Sequence, residues 1–146
     1  MPRLKQNQFP ESNYEFFQPN PSWDNTKTRS TYRHQDCPIR GICAATGKTW
    51  NEVYDLMAET GKEVCDAQTS DSSIELALSR LGFTKHTAKV VKGQKRATVA
   101  SFAREHSDKP YVLRVAGHIV GVLNGKYLDC WDCGSKCVYT YYEYGE

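Results

Sequence analysis

The apolar pattern of this chain changes period along its length, and that change restricts the fold more than any other feature. Between residues 37 and 106 most apolar positions recur at helical spacing. Beyond residue 107 they fall in short β-branched and aromatic runs separated by turn residues. Helices first and antiparallel strands last is α+β segregation, not the βαβ alternation that builds a parallel sheet.

The first helix is expected to open at Cys37, with Pro38 at the first helical position and Cys37 as its N-cap. Ile39, Ile42, Cys43 and Ala45 supply its apolar stripe, and Gly47 stops it. Thr49 and Glu52 make a capping box for a second helix. Trp50, Val53, Leu56 and Met57 form its buried face, with Gly61 as its end. A third helix is predicted over 72–81, a strand over 83–91 and a fourth helix over 98–106. Strands follow at 111–115, 118–123, 126–131 and 137–144, and Asn124-Gly125 is a hairpin turn signal. Tyr139, Tyr141, Tyr142 and Tyr144 alternate as an edge strand does and are assigned to packing.

Residues 1–30 hold four of the six prolines amid Asn, Gln and Ser without period. They read as an extended arm, pinned by Phe16, Phe17 and Trp23 and taking no part in a site, with one domain over 31–146. At 39% apolar and 25% charged, the 146 residues suit a single self-supporting core and exclude a disordered polyelectrolyte or a fibrous repeat. No apolar run approaches the ~20 residues of a membrane span, and the N-terminus lacks a signal peptide's apolar stretch. The six cysteines are therefore expected as free thiols in a reducing, cytoplasmic setting. A net charge of +2 predicts neither nucleic acid nor membrane as a partner. Residues 76–104 carry seven cations and no acid, but only Phe83 and Phe102 are there for base stacking, so this is read as a solvated face.

Two residues carry the candidate chemistry. A thiol at a helix start, as at Cys37, feels unpaired N–H groups and the positive end of the dipole; both favour thiolate, and the same N–H groups can bind an oxyanion. His118 opens a strand directly after Gly117, which leaves the adjacent backbone open to an approaching chain. If Asn124-Gly125 is a two-residue turn, Leu123 faces Lys126 and His118 lies opposite Trp131. Asp129 is then diagonal to His118 on the same face, at ~7–8 Å along the backbone. A three-residue turn with a bulge brings Asp132 opposite His118 instead. Spacing alone leaves both carboxylates open as the group that orients His118, with Trp131 as a cover over that bond.

Other features have plainer readings. Cys130, Cys133 and Cys137 lie in one strand–loop–strand segment, unlike the two separate knuckles of a closed zinc site, so they are taken as incidental thiols. No metal or cofactor is expected. Arg40 has two readings, a cleft residue that selects an anionic group or, by default, an exposed helix residue; His34 and Asp36 flank the thiol, with Asp36 read as pointing away from it or capping the helix.

The runs Asp36-Cys37-Pro38-Ile39-Arg40-Gly41, Gly117-His118-Ile119-Val120 and Asp129-Cys130-Trp131-Asp132 resemble those of papain-like cysteine peptidases, chiefly small phage and bacterial members. The order cysteine, histidine, acid is that of the clan, and Asp129-Cys130-Trp131 is similar to its Asn-Ser-Trp, which ranks Asp129 ahead of Asp132. The resemblance spans roughly residues 31–144. It implies a helical lobe packed on a twisted antiparallel sheet, and a triad of Cys37, His118 and Asp129. The clan's oxyanion glutamine falls here at Thr31, and Gln35 is too near the cysteine to take its place. That leaves the backbone N–H of Cys37 as the oxyanion donor. The implied activity is a thiol hydrolase forming an acyl-enzyme on a protein or peptide substrate: a peptidase or amidase, with deamidase and acyltransferase chemistry open on the same scaffold. The alternative is a non-catalytic papain-like protein that captures a host or viral partner, and a zinc-stabilised interaction module is a third.

Overall fold

A computed structural model describes residues 12–24 and 34–145. The rest of the expected arm, residues 1–11 and 25–30, and Thr31 lie outside the described residues. The fold is α+β: N-terminal helices packed on a six-stranded, mostly antiparallel mixed sheet. In chain order the elements are β1 (Tyr14–Phe16), a 3-10 turn (Pro21–Asp24), α1 (Cys37–Thr46), α2 (Trp50–Glu63) and α3 (Asp71–Arg80). Then come β2 (Phe83–Thr87), α4 (Val99–Glu105), β3 (Tyr111–Val115), β4 (His118–Leu123), β5 (Lys126–Asp129) and β6 (Thr140–Tyr144). The strand order is β1-β5-β4-β3-β6-β2, and β1 pairs with β5 in parallel.

Local chemistry accounts for the boundaries. The first helical hydrogen bond runs from Arg40 N to the Asp36 carbonyl at 3.0 Å, so Asp36, not Cys37, is the N-cap of α1. Gly47 ends α1 at φ 75°, a conformation a side chain disfavours. The Thr49–Glu52 capping box opens α2. Gly61 does not end that helix. It sits inside α2 because the following loop folds back, leaving Gln68 Cα 3.0 Å from where a Cβ would be.

The sheet separates two apolar clusters. Ile39, Ile42 and Cys43 of α1, Val53 and Met57 of α2, and Ile74 and Leu78 of α3 pack with Val112, Ile119 and Tyr142 on one side. Val99 and Phe102 of α4 pack with Leu113, Val120, Val122 and Tyr127 on the other. The period-2 alternation along β3 and β4 divides their side chains between these clusters. β6 is not an edge strand: it lies between β3 and β2, with Tyr142 buried in the core. The sheet is also not purely antiparallel, because β1 adds a parallel edge. Phe17 packs against the core, whereas Phe16 and Trp23 lie exposed with their rings 6.0 Å apart.

The two-residue turn at Asn124-Gly125 pairs Leu123 with Lys126 and Gly121 with Leu128. Both turn residues have positive φ, 54° and 79°, as this hairpin type demands. Among the described residues no helix is long and apolar enough to cross a membrane.

α1 reaches β4 through two glycines. A Cβ at Gly121 would lie 2.6 Å from Ala44 Cβ and against the Gly41 carbonyl oxygen, and one at Gly41 would lie 3.0 Å from Ile119 Cγ2. Gly121→Ala therefore pushes α1 off the sheet. Urea unfolding should register a loss of about 1–3 kcal/mol, the ordinary cost of overpacking; an unchanged midpoint contradicts this packing.

Candidate active site

The glycine contact fixes where Cys37 goes. Gly41 faces Ile119 and the next turn of α1 faces Gly121, so the turn before Gly41 lies at the His118 end of β4. Cys37, the first residue of α1, and His118, the first of β4, line one pocket of about 600 Å³ with Gln35, Gly117, Trp131 and Lys136. That volume lies within the ordinary range for ligand sites.

His118 Nε2 donates to Asp129 Oδ2 at 2.5 Å, with both residues buried. This leaves the other ring nitrogen for the thiol side. Asp132 is engaged elsewhere, accepting from the Tyr127 hydroxyl at 2.5 Å and from Gly134 N at 2.9 Å. β5 ends at Asp129, whose Oδ1 takes the next N–H, of Cys130, at 2.7 Å. Trp131 leaves the ladder, and its ring lies 4.8 Å from that of His118, covering the ion pair from a 41% exposed position.

Burial alone lowers the His118 pKa. Hydrogen bonding to Asp129, and then to Cys133 and Cys37, outweighs it and pushes the value up to about 11. Burial works to raise the Asp129 carboxyl, but His118, the Cys130 N–H and Arg40 hold it below the usual carboxylate range. The Asp129 bond thus favours the protonated, imidazolium form of His118. Cys43, in contrast, is pushed up to about 12 chiefly by burial and is an inert core thiol.

Several further residues frame the site. Arg40 is not exposed: it is 7% accessible, pairs with Asp36, and brings Nη2 to 3.4 Å from Asp129 Oδ1. The i,i+4 spacing of Asp36 and Arg40 was the available signal. Asp36 makes no cap bond. It accepts from Asn20 Nδ2 at 2.9 Å and from Trp50 Nε1 at 3.0 Å. The arm is part of the site's frame, since the Tyr14 hydroxyl and Phe17 N reach the Asp129 carbonyl at 3.0 and 2.8 Å. Cys133 is fully buried and donates to Asp129 Oδ2 at 3.7 Å.

Among the described residues, His118, Asp129 and Cys133 are the one set of three or more His, Cys, Asp or Glu whose potential ligand atoms lie within 4.8 Å of one another. They are three where a closed zinc site takes four, and hydrogen bonds already join them. Cys130 and Cys137 are not in that group. In the basic stretch, Arg80 pairs with Glu59 and Glu63, Lys85 with Glu75, and Arg96 lies over the Tyr139 ring at 4.6 Å.

Comparison with protein families, with characterised proteins and with solved structures finds no match.

The raised His118 pKa has a defined consequence for stability. A folded-state value above the ordinary 6.5 contributes stability that is fully present below 6.5 and lost as pH rises through about 11. Urea unfolding from neutral to alkaline pH should therefore show a decline that His118→Gln makes shallower. Parallel curves for the two proteins contradict the ion pair.

Proposed function

We propose that this protein is a thiol hydrolase that forms an acyl-enzyme on Cys37, in the manner of the papain-like cysteine peptidases and amidases its motifs resemble. The observation that carries the reading is His118, held by Asp129 at 2.5 Å and sharing an open pocket with a thiol at a helix start. A cation beside a thiol favours thiolate, and the N-cap residue Asp36 turns its side chain elsewhere and makes no cap bond to the first-turn N–H groups of α1.

The steps follow from those positions. The Cys37 thiolate attacks the carbonyl carbon of an amide, and the negative charge gathers on oxygen near the Cys37 N–H. His118 gives its proton to the leaving nitrogen as the C–N bond breaks, leaving a thioester and a neutral imidazole. Water then attacks the thioester, His118 takes its proton, and the C–S bond breaks to release the acid and restore the thiolate–imidazolium pair. Asp129 holds the ring and stabilises its charge. An acceptor other than water turns the same thioester into an acyl-transfer product. A cytoplasmic setting, where a working thiol stays reduced, suits this chemistry.

Limiting iodoacetamide at about pH 6 tests the proposal, because thiolate, not thiol, is alkylated. Cys37 is expected to be carboxamidomethylated ahead of exposed Cys65, which serves as the internal control. His118→Ala should slow that labelling by about a hundredfold or more. Labelling of Cys65 and Cys37 at equal rates, unaffected by His118→Ala, rejects the enzyme reading.

A further inference from the structure

We propose that Arg40 is the positioning residue of this site: its guanidinium bridges Asp36 and Asp129, steadies the carboxylate that orients His118, and sets a positive charge one helical turn from Cys37. This rests on the reading of Cys37 and His118 as nucleophile and base.

Four charges alternate in sign through the interior: Asp36, Arg40, Asp129 and His118. All four residues are at most 9% exposed, so water screens them little. The two contacts of Arg40 are unequal. Its Nη1 is held tightly by Asp36, while Nη2 stands 3.4 Å from Asp129 Oδ1, a charge contact more than a strong hydrogen bond. Asp129 therefore keeps Oδ2 for its short bond to His118, while Asp36 holds the guanidinium in place beside the other oxygen, Oδ1. Asn20 Nδ2 and Trp50 Nε1 hold Asp36 from the other side, so the arm and α2 both brace the row.

Cys37 and Arg40 are three residues apart on α1, which places their side chains as neighbours on one helix face. Burying the guanidinium carries a cost, because Arg40 Nε is buried without a hydrogen-bond partner among the described residues. A purely structural bridge is made as well by apolar side chains of similar size. A charge acting on the reacting groups is not.

Among the described residues, the titratable groups around the Cys37–His118 pair are Asp129 and Cys133 beside the ring, and Cys130 and Asp36 beside Arg40. His34 and Lys136 stand on the pocket wall. With Arg40 one helical turn from Cys37, the pH midpoint of Cys37 alkylation reads the charge field at the thiol.

The test is the alkylation rate of Cys37 by iodoacetamide against pH, in the full chain and three variants. Arg40→Met removes a positive charge and should move the midpoint up by about one pH unit. Arg40→Lys retains the charge and should return it toward the wild-type value. Asp36→Asn removes the negative neighbour and should move it down, which keeps the test open if Arg40→Met does not fold. Midpoints for Arg40→Met and Asp36→Asn that coincide with wild type overturn the proposal, as does Arg40→Lys behaving like Arg40→Met. If the wild-type chain shows no preferential Cys37 labelling, the thiol-hydrolase reading fails first and this proposal fails with it. Preferential labelling with unmoved midpoints removes only the role of Arg40.

Discussion

The close approach of α1 to β4 is the constraint on which the site depends. Helices normally stand off a sheet by the width of their side chains, but Gly41 and Gly121 let these two backbones meet. The consequence is positional. With the middle of α1 pressed on the middle of β4, the helix start and the strand start arrive together, and those starts are Cys37 and His118. Two residues some eighty positions apart are brought to one pocket by the absence of two Cβ atoms. The Asn124-Gly125 turn then delivers Asp129 from β5 to the same end of the sheet.

The charges gathered there are expensive to bury, and the fold answers them with one another. Asp129 alone takes His118, the Cys130 N–H, the Cys133 thiol and the outer edge of Arg40. Removing any one partner from such a set strands the others, which is where a buried ion pair costs a protein most. The N-terminal segment is drawn into this set: β1 lies beside β5, Tyr14 of β1 and the following Phe17 bond the Asp129 carbonyl, and Asn20 reaches Asp36. The arm thus fixes both the main chain and the charge environment of the group that orients His118.

How much of this the sequence disclosed depends on how local the cause is. The capping box at Thr49, the Gly47 stop and the Asn124-Gly125 turn act over a few residues, and each stands where its local chemistry puts it. The same turn set the arithmetic that made Asp129 a candidate partner for His118. The departures have tertiary causes. Gly61 looked like a helix end, but the loop packed against it lets α2 run on to Glu63. β6 looked like an edge because nothing nearby in sequence announces that β2 will pair along its outer side. Arg40 looked exposed because its second carboxylate lies 89 positions away, and the parallel pairing of β1 has no local signature at all.

The central claim is that Cys37 accepts an acyl group with the help of His118. Intact-mass spectrometry after brief mixing with an activated acetyl ester tests it most directly. The account predicts one acetyl group, carried on Cys37 as a thioester that hydroxylamine removes, lost in Cys37→Ser and formed far more slowly in His118→Ala. Acetyl groups spread over Cys65 and the surface lysines, at the same rate in all three proteins, contradict it.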